Sequence, residues 1–189
     1  MKIENFFNQF IFDGESGGFI YHDIEIAINY KINFLVSLGL ICYSEFLGGL
    51  MPKLKNEKRI TSRSKFNRFF YRLDYPSYRY SFFDEMLKTH YGSRYDIYSI
   101  FRCGLVHEYF IKPLAFNTKG KTKLKSGSII VRDALPEGVI AFGQTSDGRL
   151  GMAYRTYFRD FKILLMQWRD KLFFEKDSDW IKSFNDGYL

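Results

Sequence analysis

At 189 residues the chain has the length of one domain, enough to bury a substantial core. Aromatics make up 20 %, with 21 Phe and 14 Tyr, and no segment has the low hydrophobicity of a disordered tail, which excludes a largely unfolded chain. Two cysteines give no disulfide framework and fit a reducing interior, while a net charge of +7 turns attention to polyanionic partners.

In chain order, residues 2–12 read as a short amphipathic helix ended by the glycine-rich loop "DGESGG". The opening "MKIENFFNQFIFDGE" has early acids and no small-residue cleavage site, so it is not expected to be a secretory signal. One long helix is expected from Phe19 to Leu50, stopped by Gly48, Gly49 and Pro52. Its part from Ile32 to Met51 is the best membrane candidate. Asn33, Ser37, Ser44 and Glu45 interrupt that stretch, so a buried core helix with no membrane contact is expected, and a cytoplasmic protein.

Thr61 or Ser62 can cap the next helix, "SRSKFNRFFYRL", in which Phe66, Phe69, Phe70 and Leu73 recur at three and four. Its Arg63, Lys65, Arg68 and Arg72 fall mostly off that apolar face. Between Pro52 and Tyr80 nine basic residues stand against Glu57 and Asp74, a surplus equal to the charge of the whole chain. After the turn "DYPSYRY", a short helix "SFFDEMLKTHYG" ends at Gly92, and Tyr95 to Lys112 is helical in pattern apart from Gly104. Beyond Pro113 comes a basic loop holding Lys119, Lys121, Lys123 and Lys125. β-branched runs follow, separated by "PEG" and "SDG", as in small hairpins. A last amphipathic helix carries Phe158, Phe161, Leu164, Leu165 and Trp168 on one side. The fold expected is mainly α: one domain over residues 1–189, a helical bundle with a basic loop and β-hairpin insertion at about 113–153, before the last long helix.

Most catalytic chemistries lack their residues. There is no glycine-rich phosphate loop, no nucleophile elbow and no paired-cysteine zinc pattern. Cys103 and His107 are spaced to share a metal, but only Cys42, His22 and His90 could add soft ligands, so neither a metal nor another cofactor is expected. Glu45, in the apolar part of its helix, would be costly to bury unpaired and is expected to accept a hydrogen bond from a cation or a backbone group. Arg102 and His107 remain, in "FRCGLVHEYF". The spacing alone is common by chance. Its context is better: a Tyr- and Ile-rich turn precedes the pair, and a glutamate and an aromatic follow it.

This stretch, Arg102-Cys-Gly-Leu-Val-His107, resembles the R-x4-6-H signature of the HEPN superfamily, α-helical domains found in toxin, CRISPR-associated and RNA-processing ribonucleases. The specific match covers about ten residues. Many active members have Asn, Asp or His directly after the arginine, where this chain has Cys103. The resemblance implies a homodimer with two such motifs across one RNA cleft. It also implies metal-independent cleavage, the RNA 2′-hydroxyl attacking the adjacent phosphate to leave a 2′,3′-cyclic end. Arg102 would then stabilise the developing charge and His107 act as acid or base. Glu45, Cys103, Glu108 and Tyr109 would support the site, while Lys112, Arg63, Arg68, Arg72 and the loop from Lys119 to Lys125 track phosphates. On a straight helix, residues five apart do not share a face, so Gly104 is expected to break or begin a helix, placing Arg102 at a helix start.

The expected activity is that of an endoribonuclease, in a toxin or antiphage setting, although no residue names an antitoxin or nucleotidyltransferase partner. The alternative is a non-catalytic dimeric module for a nucleotide or protein partner, and a third reading is a purely structural dimer. In both of these Arg102 pairs with Glu45 or Glu108.

Overall fold

The apolar stripe near the C-terminus becomes the axis of the molecule. The structure, a computed structural model, describes residues 3–11, 18–73, 79–104, 130–132, 141–144 and 150–188. It is mostly helical. Helices run from Ile3–Phe6 (α1, continuing as a wider π turn, Phe7–Ile11) through Phe19–Asn29 (α2), Asn33–Gly48 (α3), Ser62–Phe70 (α4) and Arg79–Tyr91 (α5). Three short strands, Ile130–Arg132 (β1), Phe142–Gln144 (β2) and Leu150–Ala153 (β3), lead into Tyr154–Phe173 (α6) and Ser178–Tyr188 (α7). All five residues expected on the inner side of α6 are buried, with Trp168 fully so. Trp168 sits 5.1 Å from Phe7 and 6.1 Å from both Phe6 and Phe184, tying both ends of the chain to one core. The Phe7 contact is edge-on, a geometry that adds to what area burial supplies.

The helix expected over Phe19 to Leu50 is two helices. At the end of α2 the Lys31 N–H bonds to Ile28 O and the Ile32 N–H to Ala27 O, while Lys31 takes φ 57°. This crossed pair is a helix stop that usually places glycine in the left-handed position. Here lysine fills it, so neither Gly nor Pro marks the break. The cap of α4 follows expectation: Thr61 Oγ1 accepts the Ser64 N–H and Ser64 Oγ accepts the Thr61 N–H, a reciprocal capping box. Gly92, at φ 104°, follows α5 as its sequence suggests.

The β insertion contains the expected hairpin, with β2 antiparallel to β3 and Phe142 opposite Met152. β1 adds a parallel partner on the other side of β3, which the hairpin pattern does not foretell. The hairpin closes an edge of the core: Phe142 is 4.6 Å from Phe101 and 5.4 Å from Tyr157. Tyr80 links three elements there, donating to Asp160 Oδ2 at 2.6 Å and accepting the Ala141 N–H at 3.3 Å. Burial, reinforced by the Asp160 carboxylate, lifts the Tyr80 hydroxyl well above its ordinary range, so it stays a donor. Tyr80→Phe strands a nearly buried carboxylate oxygen and an N–H, and should cost about 1–3 kcal/mol, read as a lower urea midpoint at unchanged slope. Among the described residues no helix is long and apolar enough to cross a membrane.

Candidate functional site

Arg102 is presented by a π turn, Tyr98–Arg102, whose closure is the Cys103 N–H bonded to Tyr98 O, five residues back. The turn is anchored at its start. Asp96 Oδ1 accepts the Ser99 N–H at 2.8 Å, Ser99 Oγ accepts the Asp96 N–H, and Asp84 Oδ1 accepts the Ile97 N–H at 2.7 Å. Ile97, Ile100 and Phe101 are buried, which fixes the opposite side of the turn, with Tyr98 and Arg102, toward α3 and α4. Arg102 therefore lies inside a widened helical turn and not at a helix start as expected. Single π turns are often found at functional sites.

The Arg102 Nε–H donates to Glu45 Oε2 at 2.5 Å, and each side chain is 15 % exposed. Burial opposes the Arg102 charge, yet the hydrogen bond and attraction of Glu45 outweigh it and hold the guanidinium above its ordinary range. Glu45 thus has the cationic partner that its place in an apolar helix demands. The Tyr98 ring lies 5.6 Å from the Arg102 guanidinium and 4.8 Å from that of Arg63, which also pairs with the buried Asp96.

Arg102 and Glu45 open on a cleft of about 550 Å³ that is also lined by Cys42, Lys65, Ile60 and Asp186. Two cations and two carboxylates thus share it. Cys42 is exposed, yet partial desolvation by the surrounding side chains pushes its thiol up, against a smaller lowering by Arg102, which keeps it in the less reactive protonated form. Sequence periodicity assigns Lys65 to the basic helix but not to this cleft, and gives no sign that Asp186 comes back to it. Among the described residues no group of three or more His, Cys, Asp or Glu side chains is placed to hold a metal ion.

Two of the arginines expected to follow RNA, Arg68 and Arg72, are turned inward. Arg68 is 3 % exposed. Its Nε and Nη2 donate to Glu57 at 2.9 and 2.6 Å, and its Nη1 donates to Met51 O. Arg72 donates to Pro52 O and Arg68 O and lies 5.3 Å from the Trp180 ring; burial, followed by the nearby Arg68 charge, lowers its pKa to about 10. These two arginines strap residues 51–57 and α7 to α4. Arg63 alone of the three is substantially exposed, at 43 % of its side chain. His107, Glu108, Tyr109, Lys112 and the loop from Lys119 to Lys125 lie outside the described residues. Cys103 is half-buried beside the arginine. No family model, curated protein or solved structure matches the chain.

Proposed function

We propose that the chain is a metal-independent endoribonuclease of HEPN type, completed by a second copy of itself. The observation that carries this reading is an arginine fixed by Glu45 on a π turn, opening on a cleft beside Lys65. A guanidinium already held in one orientation loses little freedom when it takes a phosphate. It can receive the non-bridging oxygens as charge builds during 2′-hydroxyl attack. His107, five residues on, supplies the proton transfer near neutral pH. Glu45 is a positioning residue, acting through Arg102.

The test is cleavage of a mixed RNA pool in EDTA by the wild-type chain, Arg102→Ala and His107→Ala. Products with 2′,3′-cyclic phosphate ends should form, and each variant should lose at least about a hundredfold in rate. Equal background from all three proteins rejects the reading. In a toxin setting, expression of the wild type should also slow host growth, and His107→Ala should relieve it.

A second reading, a non-catalytic dimeric module for a nucleotide or protein partner, draws on the same ion pair. A cation neutralised by Glu45 can serve packing alone. Glu45→Gln separates the two: an enzyme loses rate with little change in RNA affinity, whereas a module shows a change in stability only.

A further inference from the structure

Helix α6 has two unlike sides. Flanking its buried stripe, Arg155, Arg159 and Lys162 recur at four and three residues, rising about 6 and 4.5 Å along the axis. They form one wall of a cleft of about 410 Å³ whose other wall is Glu25, Ile28 and Asn29 of α2. Three cations and one carboxylate line it, and Arg159 is also paired with Asp160 next to it in the chain. The Lys162 Nζ lies 4.6 Å from the Phe158 ring centroid, which steadies its stem. The cleft reaches as far as Arg155, in the first turn of α6. Next to Asn29 in the chain, Tyr30 is 76 % exposed, in the turn that the left-handed Lys31 fixes. A merely solvated helix face needs no opposing wall, and here the wall is followed directly in the chain by an exposed aromatic. Cations that track a backbone beside an exposed aromatic are what single-stranded nucleic acid requires.

We propose that this cleft binds the phosphate backbone of single-stranded RNA, with Arg155, Arg159 and Lys162 on its phosphates and Tyr30 stacked on an unpaired base. The site is separate from the Arg102 cleft and rests on the ribonuclease reading only for the choice of RNA over DNA. It replaces the inward-turned Arg68 and Arg72 as the surface that follows the chain.

Binding tests it without cleavage. The full chain is titrated with a fluorescently labelled 2′-O-methyl RNA, which has no hydroxyl to attack, across a salt series. Arg159 is left in place because its Nη2 lies 2.8 Å from the nearly buried Asp160. The double variant Arg155→Gln, Lys162→Gln should bind at least about tenfold more weakly at low salt. Its slope of log Kd against log salt should fall by about 1.4, since each single-strand phosphate contact contributes about 0.7. Tyr30→Ala should lose about tenfold with the slope kept, as an uncharged stacking contact does. A double variant that melts like the wild type and keeps its affinity and slope overturns the proposal. So does a cleft that takes inorganic tripolyphosphate, in a manner abolished by the double variant, but no RNA. Salt-dependent binding lost in the double variant supports the site even where the cleavage assay is blank, an outcome that strikes the ribonuclease reading alone.

Discussion

Gly48→Ala should destabilise the chain by about 3 kcal/mol or more, because the added methyl has nowhere to go. A Cβ built at Gly48 would stand 1.9 Å from the Lys65 carbonyl oxygen and 2.9 Å from its carbon, both backbone atoms of α4. Backbone cannot rotate aside as a side chain can, so α3 and α4 must separate. For a domain of this size such a loss lowers the melting temperature by roughly 6–12 °C. The same helix supplies a control. A Cβ at Gly39 would crowd Ile24 Cδ1, at 2.9 Å, the far end of a flexible side chain, and touch Tyr43 Cε2 at an ordinary 3.9 Å. There the clash is relieved by a rotamer change, and alanine gains about 1 kcal/mol of helix propensity, so Gly39→Ala should melt close to the wild type. Equal melting of the two variants would show that α3 and α4 do not approach this closely. The substitution also bears on function. Glu45 lies one turn before Gly48, and the Lys65 side chain lines the same cleft as Arg102. Pushing α4 off α3 moves the lysine away from the arginine before the chain unfolds.

What could be read from the sequence follows the range of the interaction that decides each element. The inner face of α6 and the aromatic face of α4 are periodic over a few residues, and the Thr61 cap needs only its neighbour three along, so all were legible. The hairpin before α6 was legible for the same reason. The break between α2 and α3 was not: its left-handed residue is Lys31, and residues on either side keep the apolar content of a helix. Arg68 shows the limit of counting charge. Its partner Glu57 is eleven residues away in the intervening segment, and only the folded path of that segment shows that the pair lies inside. The Arg102–Glu45 pair spans 57 residues yet was foreseeable as a chemical need, because a carboxylate in an apolar helix must find a donor. The π turn was not, since one extra residue in a turn changes no periodicity over so short a run. The polar side of α6 carried its pattern in plain view, but its meaning needed the wall that α2 sets against it.

Glu57→Ala should cost about 3–5 kcal/mol, the usual penalty for leaving a charge without its partner inside a protein. The two side chains are 4 % and 6 % exposed, so water cannot replace the two bonds that Arg68 loses. Arg68 keeps only its bond to Met51 O and cannot discharge, because a guanidinium stays protonated. The strap between residues 51–57 and α4 then opens, and urea unfolding should move to a lower midpoint. The same pair predicts the response to acid. The Arg68 hydrogen bond, against the upward push of burial, holds the Glu57 carboxyl below the usual glutamate range. A carboxyl with a lower pKa folded than unfolded contributes stability that is complete above its unfolded value, about 4.3, and disappears as pH falls through the folded value. Wild-type stability should therefore fall more steeply than that of Glu57→Gln as the pH drops below about 5, because glutamine does not titrate in that range. Taking the difference between the two proteins at each pH removes the contribution of every other carboxyl they share. A constant difference across that range would mean that the Arg68–Glu57 contact does not depend on the glutamate charge.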